Sequence, residues 1–501
     1  MRTSREPSSP AWLVALGAAV AAPYCAYSNF VLNHFYHYGA VLLDTGLLAD
    51  LAWRKPWWLP MAPLFGGQSF YAFHVSPLLS LLSAVSRIVP LGMPQWFAAF
   101  TGAAHALAAA AAFLALRYGV GLRGAGGTAI AVALSILFAF NGLALAQVRY
   151  PHFEILIASA MMLFFVAWRL GWMRRALAAL ALCLICREDA GFHVAAFLLT
   201  VVALDWRRGV ARPDQRRTLA LAALAAGYSC AALAAGHLAF PHASSFVRVY
   251  LGSPPLSGLT PSVVAGRVLI ILYGRSYLVL PAAVAAVWAV LRRNPYVFAG
   301  YLACAPWAMV NLLAQSELAA RLDSYYGFPF MAAAFWPLVG ASMGGEATAG
   351  SRRATVTGFA LMTLASFTAL GLQHNPSRIP LWSGLTRPVP AAEQRRVDAA
   401  VDAVLADRSR LGRLVVSNGI AALHPPAFSL AETTPVAGVA TYDTAIDMSD
   451  GFNSGAVRAA AARSGLGRVY RIAGTSLRIE TNRDLRSLPA LGPQLTAASS
   501  P

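Results

Sequence analysis

The sequence predicts an all-α polytopic membrane protein with about nine full spans and a half-helix hairpin, followed by a small C-terminal extracytoplasmic α/β domain. Three observations predict it. The 501-residue chain is 58% hydrophobic and 12% charged, with a mean hydropathy of +0.57, whereas soluble chains are about a quarter charged. Several apolar runs reach the roughly 20 residues that a helix needs to span hydrocarbon. After residue 372 the texture changes: 373–501 is rich in Arg, Asp, Ser and Pro and holds no run of spanning length.

The elements follow in order. A first span covers 12–32; the N-terminal "MRTSREPSSP" resembles a signal peptide but lacks a small-residue cleavage site, so the span is expected to be uncleaved. A long polar and aromatic segment, 33–94, carries short helices. Spans then cover 95–117, 126–146 and 153–172, and, after a special segment, 217–239, 263–291, 296–314, 327–344 and 354–372. The net charge of +18 suggests a nucleic-acid partner, but most arginines sit in short loops between apolar runs, where they orient the chain. Arg2 and Arg5, Arg117 and Arg123, Arg169 with Arg174 and Arg175, the 207–217 cluster, Arg292 with Arg293, and Arg352 with Arg353 mark the cytoplasmic ends. The N-terminus is then inside, and 33–94, 147–153, 240–262, 315–326 and everything after 372 are outside. This is the layout of a multi-pass membrane protein, and no nucleic-acid partner is expected.

The special segment is "RRALAALALCLICREDAGFHVAAFLLTVVALDWRR". Both flanks are basic, so both belong inside, and two short helices over 176–205 turning at Arg187-Glu188-Asp189 satisfy this. Charges at depth face protein or a wet cavity, so the tip is expected to be buried in protein. It serves either assembly, by internal pairing, or function. Cys183 and Cys186 form a CxxC, but nothing nearby completes a metal or redox site, and they read as packing residues. In the tail, "EQRRVDAAVDAVLAD" places Val397, Val401 and Val404 on one helix face, "RLVVSNG" reads as a strand ending in a turn, and "RVYRIAGTSLRIETN" as two strands. A lid or docking module without chemistry of its own fits that composition.

Titratable residues collect in the outer segments. His37, Asp44, Asp50, Lys55 and His74 fall in 33–94; Arg149, His152 and Glu154 in "RYPHFEIL"; Glu317, Arg321, Asp323, Tyr325 and Tyr326 in "SELAARLDSYYGFPF". Interfacial aromatics occur in any membrane protein, and a boundary histidine is more often solvated than catalytic. Asp44 is harder to dismiss, because "GAVLLDTGLLADLAW" is otherwise apolar. Carboxylates, arginines and aromatics at a membrane boundary suit a lipid-phosphate-linked substrate: arginine grips phosphate, a carboxylate takes a hydroxyl proton, and rings pack on sugar faces.

The pieces "YHYGAVLLDTGLLADLAW", "FYAFHVSPLLSLL", "PHFEILIASAMMLFF", "LCLICREDAGFHVAAFLL" and "DSYYGFPFMAAAFWPL" resemble, in order, the bacterial membrane family called domain-of-unknown-function 2079, and through it the GT-C glycosyltransferase superfamily. The resemblance covers most of 30–345. It implies a GT-C-like fold and an inverting transfer of a sugar from a polyprenyl-phosphate donor to a glycan, lipid or protein acceptor. Asp44 would be base or acceptor-orienting group, with Glu154 assisting. Arg149, Arg321 and Lys55 would stabilise the leaving phosphate, while His37, His74, His152, Tyr325 and Tyr326 line the substrate site. The superfamily's common paired acid is absent, since Asp44 is followed by Thr45, which favours a metal-free mechanism without cofactor. The alternative from another class is a transporter or lipid flippase using the 187–189 tip with Arg275; no internal repeat supports it.

Overall fold

The computed structural model describes residues 11–54, 61–62, 68–209, 215–241, 250–322, 324–343, 349–372, 381–434, 441–448, 451 and 453–497. Its helices in chain order are α1 (Ala11–Asn33), α2 (Pro77–Ser86), α3 (Met93–Leu114), α4 (Gly124–Ala139), α5 (Gly142–Gln147), α6 (Ile155–Arg169), α7 (Met173–Leu184), α8 (Ala190–Arg207), α9 (Gln215–Ala239), α10 (Pro261–Gly274), α11 (Ser276–Leu291), α12 (Ala299–Leu312), α13 (Phe328–Phe335) and α14 (Ala349–Leu372). Among the described residues six helices are long and apolar enough to cross a membrane, or seven if the bent pair α10–α11 counts as one.

The expected count of about nine spans therefore differs from what is seen, and the sequence explains where. The run expected at 263–291 breaks at Arg275, where α10 and α11 meet at 80°. The run at 327–344 breaks before Pro337, whose ring cannot continue a helix. The run at 296–314 opens with a tight turn at Pro295–Phe298 before the 14-residue α12, and α6 has only 15 residues.

Large apolar side chains such as Leu224, Leu269, Val287 and Leu361 face outward, the reverse of a water-soluble surface and apt for lipid. The interior holds Phe165 between Phe197, at 4.9 Å, and Trp336, at 5.0 Å edge-on. The basic loops gather at one end of the bundle: the Arg169 guanidinium donates to the Ser342 carbonyl at 2.7 Å, and Arg208 lies over the Tyr296 ring. Because α6 runs up from that end, α7 joins it through a short connection, and α8 returns, the residues at 152–154 and 185–189 lie together at the opposite end.

Strands β1 (Met61–Ala62) and β2 (Gln68–Ser69) pair antiparallel before α2, and the tail forms a five-stranded sheet of β3 (Leu414–Val416), β4 (Thr444–Met448), β5 (Arg468–Ile472), β6 (Leu477–Thr481) and β7 (Leu495–Ala497) in the order β3-β4-β6-β5-β7. β3 and β4 pair in parallel and the other neighbours antiparallel. Helix α15 (Ala391–Ala406) buries Val397, Val401 and Val404, as its periodicity predicts. Strand β4, buried along its whole length, carries no alternating pattern and gives no strand signal in "YDTAIDMSD". Helices α16 (Asn418–Leu423) and α17 (Ser454–Arg463) pack beside the sheet.

Candidate functional site

Past α1 the chain makes a wider helical turn at His34–Tyr38, reverses at Gly39 (φ 73°), and makes a second wide turn at Leu42–Gly46. Asp44 sits in that second turn, pinned from both sides. The Thr45 hydroxyl donates to the Pro151 carbonyl at 3.1 Å, and the Leu42 amide donates to the Asn418 side-chain oxygen at 3.2 Å. Asn418 belongs to the C-terminal domain, whose helix α16 lies directly on this loop. The approach requires glycine: a Cβ on Gly46 would meet the Ala422 backbone at 2.8 Å, and one on Gly419 would meet Gly39 at 2.4 Å.

Asp44 opens into a cavity of about 450 Å³. Its polar wall brings together Asp44, His74, His152, Glu154, Arg187, Glu188, Tyr325 and Tyr326, drawn from five separate stretches of chain. The same cavity is also lined by the apolar Leu43, Phe73, Leu233 and Phe240, of which Leu43, Phe73 and Leu233 are exposed.

The hairpin tip supplies the charge network. Arg187 donates one amino group to Glu154 and, through Nε at 2.6 Å and its other amino group, grips Asp189. Arg187 is 5% exposed, so this pairing compensates a charge taken out of water. Glu188 accepts or shares a proton with His74 Nδ1 at 2.9 Å. The tip is fixed by the Leu78 amide bonded to the Ile185 carbonyl and by the Gly191 amide bonded to Ser229. His152 stacks on Tyr325 at 4.2 Å, and the Tyr325 hydroxyl reaches Tyr326 at 3.4 Å.

Burial raises the Asp44 carboxyl above its ordinary value, making it a better proton acceptor than a solvated aspartate. Burial, then the Asp44 carboxylate, pushes the Tyr325 phenol upward and keeps it a neutral donor. For His74, burial pulls the imidazole down, and the Glu188 carboxylate more than reverses this, leaving it raised.

Other expected site residues lie elsewhere. Arg321 is half-exposed and pairs with Glu317, four residues back, at 3.0 Å. His37 faces Glu393 of the C-terminal domain at 3.6 Å. Neither these two nor Arg149 lines the cavity. Lys55 and Asp323 fall outside the described residues. Arg275, named for a transport path, sits at the α10–α11 bend, away from the cavity lining. Cys183 and Cys186 are buried free thiols. Among the described residues no group of three or more His, Cys, Asp or Glu side chains is arranged to hold a metal. Sequence reasoning missed Asn418 and the apolar residues of α9; a short polar turn after a strand gives no sign of what it docks on.

No family model matches the chain, and no curated protein matches it. Among solved structures, the crystal structure of ArnT from Cupriavidus metallidurans bound to undecaprenyl phosphate is similar, at 12% identity and a TM-score of 0.46, covering 96% of this chain and 99% of that one.

Proposed function

We propose that the chain is a membrane glycosyltransferase that moves a sugar from a polyprenyl-phosphate donor to an acceptor hydroxyl at the outer face of a bacterial cytoplasmic membrane, with inversion. The observation that carries the reading is the mixed lining of one cavity, where carboxylates, imidazoles and phenols stand among exposed apolar side chains. A ligand with a polar head and a hydrocarbon tail satisfies both kinds of side chain. Helix α6 rises only about 22 Å from Arg169 to Glu154 at 1.5 Å per residue, less than the ~30 Å of bilayer hydrocarbon. With its basic end at one head-group layer, the cavity then lies below the other, within reach of a lipid tail.

In the reaction Asp44 takes the acceptor's hydroxyl proton as the oxygen attacks the anomeric carbon. The bond from that carbon to the carrier phosphate breaks, and its electron pair leaves with the phosphate. Tyr325 and His152 present a stacked surface to the sugar, and Arg187 locks Glu154 and the tip into the wall. The experiment is incubation of the purified protein with a panel of polyprenyl-phosphate sugars in the presence of candidate acceptors, following loss of the donor. Consumption that disappears in Asp44→Asn supports the proposal. A folded protein that consumes nothing across the panel, yet moves lipid between leaflets of a vesicle, shifts the assignment to a flippase. Since the tip and Asp44 share one cavity, that vesicle assay, rather than the choice of residue to mutate, separates the two readings.

A further inference from the structure

Two kinds of cation line the polar wall among the described residues, and they are placed differently. Arg187 is buried, and its guanidinium is divided between Glu154 and Asp189. Its charge is already matched by two carboxylates, and its donors point into the scaffold. His74 is the reverse case. Its Nδ1 is held by Glu188 at 2.9 Å, its side chain remains 43% exposed, and it borders the cavity beside the apolar Phe73. Glu188 itself is only 10% exposed at the side chain, and its second oxygen is buried without a hydrogen-bond partner among the described residues. The carboxylate thus acts outward through the imidazole, fixing which nitrogen is left for a ligand.

We infer that His74, oriented by Glu188, is the cation that receives the phosphate of the lipid carrier, while Arg187 holds the wall in shape. This rests on the reading above that the ligand is a polyprenyl phosphate. With Nδ1–H committed to Glu188, the imidazolium Nε2–H donates to a phosphate oxygen, a charge-assisted hydrogen bond. When the bond from the anomeric carbon breaks, negative charge grows on that phosphate, and the same N–H stabilises it in place without proton transfer. The charged and titratable groups that face His74 are Glu188, Arg187 and Asp189 on the tip, and Glu154 and His152 on the connection before α6. His237 of α9 borders the same cavity. Burial disfavours the imidazolium and Arg187 opposes it, but Glu188, aided by Glu154, outweighs them. The cation therefore persists above the ordinary histidine value of about 6.5 and is lost as pH rises through the raised one.

The test measures binding of a long-chain polyprenyl phosphate, and of the matching polyprenol, to the purified full chain between about pH 6 and about pH 9. Wild type is expected to prefer the phosphate, with the preference falling about tenfold across one titration step. His74→Gln should lose about tenfold at the acid end and show no step. Glu188→Gln should move the step to lower pH. His74→Arg, which keeps a charge, should keep the preference and flatten it. Thermal melts establish that each variant is folded; should His74→Gln not fold, Glu188→Gln and His74→Arg still decide. A step that survives in His74→Gln, or stays put in Glu188→Gln, overturns the inference and leaves the glycosyltransferase reading intact. A wild-type protein that does not distinguish phosphate from alcohol at any pH overturns both.

Discussion

Asp44 is half-buried and has, among the described residues, no ion-pair partner. A carboxylate so placed is poised for proton transfer and costs stability. Its folded-state pKa is raised above the ordinary value, so the folded protein holds a proton more firmly than the unfolded chain. Stability contributed by that group is present at low pH and falls as pH rises through the raised value. Asp44→Asn should therefore melt higher than wild type at neutral pH and lose about 10²- to 10⁴-fold in turnover. Wild-type turnover should rise with pH through the raised Asp44 value, because the base must be ionised. A variant that turns over normally would remove Asp44 from the chemistry. The sequence made this residue visible because an acid among leucines just past a span has few structural excuses. It made Arg321 and His37 equally visible, and neither lines the cavity beside Asp44. Nothing in the chain order shows that Glu317 one helical turn away, or Glu393 from a distant domain, takes up those side chains.

At the scale of elements, the basic flanks of the "REDAG" segment predict two helices turning at a charged tip, and α7 and α8 have that form. That the tip shares a cavity with Asp44 could not be read, since it depends on how far short helices climb relative to their neighbours. The same sequence explains Gly191: a Cβ there would lie 2.0 Å from the Ala225 carbonyl oxygen, so α8 and α9 touch backbone to backbone. Gly191→Ala should force the pair apart and destabilise by about 1–3 kcal/mol, read as a lower melting temperature together with weaker phosphate binding, because Ser229 also holds the tip. Unchanged melting would show that α9 moves aside freely. In the sheet, Asp447 on β4 is pushed up to about 6 by burial, against the pull of Arg458 at 2.8 Å. Since its folded pKa is raised, its contribution is favourable at low pH and is lost as pH rises from about 4 towards that value. Relative to Asp447→Asn, wild type should lose about 1–3 kcal/mol across that window, measured as the difference between their pH-dependent melts. Parallel curves would mean that Arg458 compensates the charge at every pH.

At the scale of the whole molecule, composition alone separates a helical bundle from a polar tail, and it suggests a tail without chemistry. The contacts tie the two parts beside Asp44. Helix α16 lies on 39–46 with glycines on both sides of the seam, and Asn418 accepts the Leu42 amide two residues from Asp44. Asn418 is itself anchored, its amide bonded to Asn453, which in turn donates to the Thr433 carbonyl. The tail thus sets the position of Asp44 from behind, while on the reading above Asp44 is the base and the carrier's phosphate is held by the tip and His74 on other elements. The two contributions should separate in kinetics. Asn418→Ala removes one acceptor from a partly buried amide, a loss of about 1–3 kcal/mol, and frees the loop. It should lower kcat about tenfold while leaving polyprenyl-phosphate binding unchanged. Asn418→Asp keeps the acceptor oxygen and should restore the rate at pH values above the raised Asp44 value, as long as His74 keeps its charge. Its added negative charge disfavours the Asp44 carboxylate, so the rise of turnover with pH should shift upward in this variant alone. A tail that served only as a cover would give a different result: both variants would change substrate binding or melting in proportion to turnover, and the pH profile would stay where it was.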